Sequence, residues 1–238
     1  MAKAQQIKAT LASKKILNDK FIHFQFKLIQ PPELEFQAGQ YIMFTVDQNR
    51  TRRSYSIASR PQDRTKLEVF LDVTPDGVGV NYLRDLEEGQ EVEFLGPIGR
   101  FTVDTEQKEA EIVLIGTGCG LAPLRSMYLD RLSDSEDKRL VKLYWGLRYP
   151  EQVALSFEFE ELAKQHDNFE YHLVFSRSDQ GEPGCSYVTD CLTAETVNPQ
   201  AGYYMCGNNQ MIDDVVKILT ELGVPQKNIH HEKFDLSC

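Results

Sequence analysis

The sequence predicts two domains in succession: an antiparallel six-stranded β-barrel over residues 1–104 and an α/β domain with a doubly wound parallel sheet over residues 105–238. Three observations predict this. Short apolar–polar alternations separated by turn residues fill the first part, continuous apolar runs alternate with helical patterns in the second, and the charge divides at the same place. Residues 1–104 carry 14 Lys and Arg against 14 Asp and Glu, and residues 105–238 carry 12 against 22, so the second part holds the whole net charge of −10. A chain of 238 residues is also long enough for two cores of ordinary size.

The first strand falls at residues 6–12. The second is the clearest: Ile22, Phe24, Phe26 and Leu28 alternate with His23, Gln25 and Lys27, the period of two that buries one face of an antiparallel strand. Comparable runs at residues 40–46, 54–58, 66–73 and 91–95 are set off by Pro31-Pro32, Ala38-Gly39, Pro61, Pro75-Asp76-Gly77 and Gly89. Six short strands with such turns suggest a small barrel, interrupted by a helical turn at residues 81–86. Residues 105–111 are charged and lack apolar periodicity, which places the domain boundary there. Beyond it, Ile112-Val113-Leu114-Ile115 reads as a strand buried on both faces of a parallel sheet. Further strands are expected at residues 141–145, 171–175, 203–206 and 228–231, with helices at 122–132, 156–166, 186–193 and 210–222. Strand and helix in alternation imply right-handed crossovers and a sheet covered on both sides.

Composition narrows the function. With 41% hydrophobic and 26% charged residues and no apolar run near the ~20 residues of a membrane helix, a soluble globular protein without a membrane partner is expected. The N-terminal Met-Ala-Lys-Ala-Gln-Gln lacks the regions of a signal peptide, so the expected location is the cytoplasm. Five cysteines at irregular spacings, with no C-x-x-C pair and no iron–sulfur run, predict no metal centre and reduced thiols. The adjacent His230 and His231 would point to opposite faces of a strand and make a poor chelate. Arg50, Arg52, Arg53, Arg60 and Arg64 form a basic cluster, but the overall acidity argues against nucleic acid as a partner.

Three segments carry chemistry. Gly116-Thr117-Gly118-Cys119-Gly120, followed by Leu121-Ala122-Pro123, lies where a buried strand turns into a helix. Its glycines admit close backbone approach, Pro123 suits a first helical turn, and the helix start favours a pyrophosphate. The spacing departs from the G-x-G-x-x-G fingerprint of ordinary dinucleotide dehydrogenases. Tyr203-Tyr204-Met205-Cys206-Gly207-Asn208-Asn209-Gln210-Met211 is a second strand end opening a helix, on the side of a parallel sheet where ligands bind. Arg53-Ser54-Tyr55-Ser56 places a guanidinium, an aromatic face and hydroxyls along one strand, a set that suits a phosphate and a planar heterocycle.

Taken in order, Arg53-Ser54-Tyr55-Ser56, Gly96-Pro97-Ile98-Gly99-Arg100-Phe101, Gly116-Thr117-Gly118 with Ala122-Pro123, Cys206-Gly207 with Met211, and Glu232-Lys233-Phe234 resemble the ferredoxin-NADP reductase superfamily over nearly the whole chain. The resemblance implies an FAD-binding barrel and an NAD(P)-binding α/β domain. Arg53 would bind the FAD pyrophosphate with Ser54 beside it, Tyr55 would stack on the isoalloxazine, and Ser56 would contact flavin N5. The turn Gly77, Gly79, Val80 and Asn81 would give backbone donors to the pyrophosphate, with Val80 standing where the family usually has a hydroxyl residue. Thr117, Gly118, Pro123, Gly207 and Met211 would hold the nicotinamide nucleotide. Ser56, Cys206 and Glu232 would act catalytically where it meets the flavin, beside Phe234, which four residues follow. Ser176 and Arg177 resemble a pair that binds the 2′-phosphate of NADP, Tyr187 an adenine-stacking tyrosine, and Arg148 could reach the same nucleotide. NADPH is preferred over NADH on this reading.

The implied function is hydride transfer from the nicotinamide to flavin and onward passage of electrons to a separate carrier such as ferredoxin or flavodoxin, or to a small-molecule acceptor. Release of reduced flavin is one alternative. A non-catalytic redox-sensing or electron-transfer subunit of a larger complex is the other.

Overall fold

The computed structural model of the chain describes residues 3–74, 76–103, 109 and 111–234. Six strands form the first sheet: β1 (Gln5–Ile16), β2 (Phe21–Gln30), β3 (Tyr41–Thr45), β4 (Arg52–Ser56), β5 (Lys66–Asp72) and β6 (Glu91–Ile98), with one helix, α1 (Val78–Asp85), between β5 and β6. Their order is β4-β3-β6-β1-β2-β5 and every pairing is antiparallel. An antiparallel bridge from Ile57 to Val69 joins the two edges of this sheet and closes it. The alternation read in β2 places Phe24 and Phe26 inside the barrel with Phe44 and Phe94, whose rings lie 5.1 Å apart. The expected helical turn begins earlier than its apolar pattern suggested, because the extended Gly77 starts α1 directly.

The second sheet contains β7 (Glu111–Thr117), β8 (Leu140–Leu147), β9 (Phe169–Phe175), β10 (Gly202–Gly207) and β11 (Ile229–Lys233), all parallel in the order β11-β10-β7-β8-β9. Alternate residues of its central strands enter opposite cores. Ile112, Leu114, Tyr204 and Cys206 join one, and Val113, Ile115, Tyr203 and Met205 the other. Helices α2 (Leu121–Leu132) and α3 (Ser156–Gln165) cover the first face, and α4 (Asn209–Glu221) covers the second. The sheet is thus doubly wound.

Two expectations are corrected. Residues 186–193 form turns, not a helix: the N–H groups of Ser186 and Tyr187 donate to the Asp190 carboxylate, and that of Thr193 to the Thr196 hydroxyl. Such side-chain acceptors compete with helical bonding. Cys185 is also paired with Cys191, so the cysteines are not all free thiols. Most of the segment in which the sequence placed the domain boundary, residues 105–108 and 110 of 105–111, lies outside the described residues.

Barrel and α/β sheet share a core. Phe21 and Phe70 of the barrel pack with Trp145 of β8 at ring distances of 5.9 and 6.4 Å. Beside them Arg125 of α2, 9% exposed, donates to the Ala58 carbonyl and the Glu68 carboxylate of the barrel, each at 2.7 Å, and bidentately to Glu158 of α3. Ser126 adds a bond to the Ser59 carbonyl at 2.6 Å. These contacts set the orientation of the two sheets and thereby the shape of the clefts between them.

Candidate functional site

One cleft, of about 490 Å³, lies over β4 and the start of α1. Arg53, Ser54, Tyr55 and Ser56 line it, opposite Gly77, Gly79 and Val80. Arg53 has no carboxylate partner among the described residues; its Nη1 donates to the Arg52 carbonyl at 3.0 Å. Gly79 is required here, because a Cβ would come within 2.4 Å of the Tyr55 hydroxyl and 2.8 Å of Arg53 Cγ. The first intrahelical bond of α1 runs from the N–H of Asn81 to the Gly77 carbonyl at 2.9 Å. The N–H groups of Val78, Gly79 and Val80 therefore precede the helical ladder and remain available as donors at its positive end. A guanidinium outside any salt bridge among the described residues, a helix start, a glycine cradle and the aromatic walls Tyr55, Phe70 and Phe234 fit an anionic nucleotide with a planar ring system.

A second cleft, of about 630 Å³, runs across the C-terminal ends of β7, β8, β9 and β10. Its floor is two interlocked glycine turns. Gly118 has a φ of 55° and Gly207 a φ of 132°, and a Cβ on Gly207 would lie 2.4 Å from the Thr117 hydroxyl. That hydroxyl accepts the Asn208 N–H at 2.9 Å, and Trp145 Nε1 donates to the Gly118 carbonyl at 3.0 Å. The Asn208 side chain caps α4 by accepting the Met211 N–H. Arg148, Ser176 and Tyr187 stand at the outer end.

The two clefts meet at Asp72, Cys119 and Phe234, which line both. Asp72, at the end of β5, pairs with Lys20 at 2.9 Å, and its Oδ2 lies 3.5 Å from where a Cβ of Gly118 would stand. Burial, with the Asp72 charge adding to it, pushes the Cys119 thiol up to about 12, so it is protonated at neutral pH. Glu232 lines the first cleft, and burial pushes its carboxyl up to about 7.

Most of the residues singled out from sequence converge on these clefts. Arg53, Ser54, Tyr55, Ser56, Gly77, Gly79, Val80 and Glu232 line the first, Thr117, Gly118, Arg148, Ser176, Tyr187, Gly207 and Met211 the second, and Phe234 both. Four are placed otherwise. The N–H expected to donate from Asn81 is used inside α1, and its side chain bonds Asp76 and Arg84. Pro123 is buried in the first turn of α2. Cys206 is fully buried, its thiol pushed far up by burial; its carbonyl would meet a Cβ on Gly120 at 2.1 Å. Arg177 is exposed, its Nη1 3.3 Å from the Tyr149 hydroxyl, and does not line the cleft. Sequence reasoning missed Lys20, Asp72 and Cys119. Lys20 and Asp72 sit at strand ends without a surrounding pattern, whereas Cys119, inside the glycine run, could have been found from its position there.

Residues 8–103 match the family described as oxidoreductase FAD-binding domain, and residues 114–217 the oxidoreductase NAD-binding domain. The chain is 28% identical over 246 residues to ferredoxin–NADP reductase B of Sorangium cellulosum, covering 99% of this chain and 100% of that protein. It is 28% identical over 240 residues to the reductase component of propane 2-monooxygenase from a Gordonia species, covering 98% and 69%. The cytochrome P450 reductase GcoB of Amycolatopsis superposes with a TM-score of 0.90 at 27% identity, over 98% of this chain and 71% of that one. Fold and clefts together define an oxidoreductase that binds FAD in its barrel and a nicotinamide dinucleotide in its α/β domain. Within that class, the chain belongs to the ferredoxin-NADP reductase superfamily.

Proposed function

We propose that the protein oxidises NADPH through FAD and passes the electrons to a separate acceptor, a carrier protein such as ferredoxin or flavodoxin or an oxygenase component. The observation that carries this reading is the sharing of Asp72, Cys119 and Phe234 by the linings of the two clefts, which would set a flavin in one beside a nicotinamide in the other. Bound FAD would supply acceptance of an electron pair and release of electrons singly.

The barrel module, residues 1–104, and the nucleotide module, residues 105–238, then divide the work. Arg53 and the α1 start hold the FAD pyrophosphate, and Tyr55 covers a ring face. Ser56, 7% exposed, offers its hydroxyl to a ring nitrogen. Thr117, Gly118 and Gly207 hold the nicotinamide half of the dinucleotide. Phe234 and the half-buried Glu232 exclude water where the rings approach, and Glu232 holds a proton at its carboxyl below about pH 7. Cys206 acts from behind as a positioning residue, its backbone packed on Gly120 and its strand position paired with Glu232.

The choice of NADPH rests on Arg148, which lines the nucleotide cleft with Ser176 at the ends of β8 and β9; Arg177, next to Ser176 but outside the cleft lining, would join it by turning from the Tyr149 hydroxyl toward the phosphate. A 2′-phosphate there would gain charge-assisted bonds that NADH cannot use. Anaerobic reduction of the flavin should be faster at limiting NADPH than at limiting NADH. Arg148→Ala and Arg177→Ala should each raise the NADPH KM about tenfold, a loss near 1.4 kcal/mol, while the NADH KM stays within about twofold. Preference for NADH in the wild type, or equal losses with both nucleotides, would withdraw the NADPH assignment. One observation favours a second reading, release of reduced flavin: Val80, 8% exposed, packs into the barrel core and offers no hydroxyl to the cofactor. Retention of FAD through gel filtration would exclude it.

A further inference from the structure

The segment between β9 and β10 supplies one wall of the nucleotide cleft, and two cysteines bracket that wall. Cys185 and Cys191 are paired six positions apart, with Cα atoms at 5.5 Å. Between them Ser186, Tyr187, Val188 and Thr189 all line the cleft. Val188 is anchored in the core against Gly146, whose Cβ would stand 3.1 Å from its Cγ1. The rest of the loop is held by short-range turns, with the N–H of Asp190 donating to the Tyr187 carbonyl at 2.9 Å and that of Leu192 to the Thr189 carbonyl at 3.2 Å. The Ser186 and Tyr187 N–H groups converge on one carboxylate, that of Asp190, at 3.0 and 2.8 Å, and the Tyr187 side chain is 62% exposed. All of these bonds are local to the loop, and a covalent link across its base adds a constraint on where its cleft-facing residues stand.

We propose that Cys185 and Cys191 are a redox-active dithiol site, at which a low-molecular-weight disulfide such as oxidised glutathione closes the loop and raises the affinity of the cleft for the nicotinamide dinucleotide. The proposal rests on the nucleotide reading of this cleft. Cys185 is half-buried and Cys191 only 5% exposed, so Cys185 meets a solvent-borne disulfide first. Its thiolate bonds to one glutathione sulfur and expels the other as a thiolate, which takes up the proton lost from Cys185. The Cys191 thiolate then attacks the mixed disulfide at the Cys185 sulfur, and the second glutathione leaves with the proton lost from Cys191. Two protein S–H bonds are replaced by one S–S bond, and the pair of electrons reduces one glutathione disulfide to two thiols. Closure removes open arrangements of the loop, so less ordering remains to be done when the nucleotide binds. The other two described cysteines stand apart from this loop: Cys119 at the meeting of the clefts and Cys206 in the core between the sheets.

The test uses the full-length holoprotein, equilibrated in excess reduced or oxidised glutathione and then freed of it, with the state of Cys185 and Cys191 read by peptide mass. NADPH and NADH affinities are titrated, and KM and kcat are measured with ferricyanide as acceptor. Closing the loop should lower the nucleotide Kd and KM roughly three- to tenfold, the scale of ordering a few side chains, and leave kcat unchanged. Cys185→Ser and Cys191→Ser should stay at the reduced value under both treatments. The proposal falls if verified open and closed forms bind the nucleotide equally or if oxidised glutathione leaves both thiols free. It also falls if a glutathione adduct forms without closure, or if the response persists in Cys185→Ser. Failure of both nucleotides to bind in either state would overturn the nucleotide reading as well, an outcome distinct from equal and measurable affinities.

Discussion

At the scale of single residues, Glu232 shows how placement converts an ordinary side chain into a titrating group at neutral pH. Burial raises its carboxyl from 4.5 to about 7. The folded chain therefore retains a proton that the unfolded chain releases between these values, and stability contributed by the neutral acid is lost as pH rises from about 4.5 to 7. Glu232→Gln keeps the neutral shape at every pH. Thermal melts should show similar midpoints for wild type and Glu232→Gln at pH 5 and a more stable variant at pH 8; a constant difference across that range would mean that the carboxyl titrates as an exposed one does. His230 and His231, neighbours on β11, face different surroundings. His230 stacks on Tyr204 at 4.6 Å, and His231 is exposed.

At the scale of elements, α2 does two tasks. Its first turn follows the glycine run that floors the nucleotide cleft, and its outer face carries Arg125 into the barrel. Burial opposes ionisation of Glu68, yet its bonds to His23 and Arg125 hold its carboxyl well below the usual range, so the charge persists across the interface. Truncating Arg125 would leave Glu68 and Glu158 without their shared cation. Breaking a buried pair in this way costs about 3–5 kcal/mol. Urea denaturation of Arg125→Ala should show a loss of that order. A change under 1 kcal/mol would mean that water replaces the guanidinium at no cost.

At the scale of the whole molecule, the shared core argues for one cooperative unit. Trp145, the single tryptophan of the chain, belongs to the α/β sheet but packs against Phe21 and Phe70 of the barrel. Separation of the sheets would expose these rings together. On heating, the Trp145 emission shift and the rise in flavin fluorescence on FAD release should coincide. Flavin release several degrees earlier would mean that the barrel unfolds by itself. No helix among the described residues is long and apolar enough to cross a membrane.

The sequence by itself determined what depends on local periodicity and on residues adjacent in the chain. The two alternation grammars, in β2 and in β7, were legible because a strand with one buried face repeats every two residues and a strand with two buried faces does not. Arg53 to Ser56 and Thr117-Gly118 were legible because each is a contiguous set whose chemistry follows from residue type. Tertiary structure alone decided which of these sets face one another. Asp72 and Lys20 acquire their position only when β5 and the β1–β2 turn meet the glycine run of the other domain, and Cys206 faces the core because its strand neighbours take the alternating sides. The turns at residues 186–193 were misread as a helix for the same reason: their backbone donors are taken by Asp190 and Thr196, and the pairing of Cys185 with Cys191 closes the loop. Apolar spacing records which residues seek the interior; it carries no term for side chains that capture backbone donors or for contacts between segments far apart in the chain.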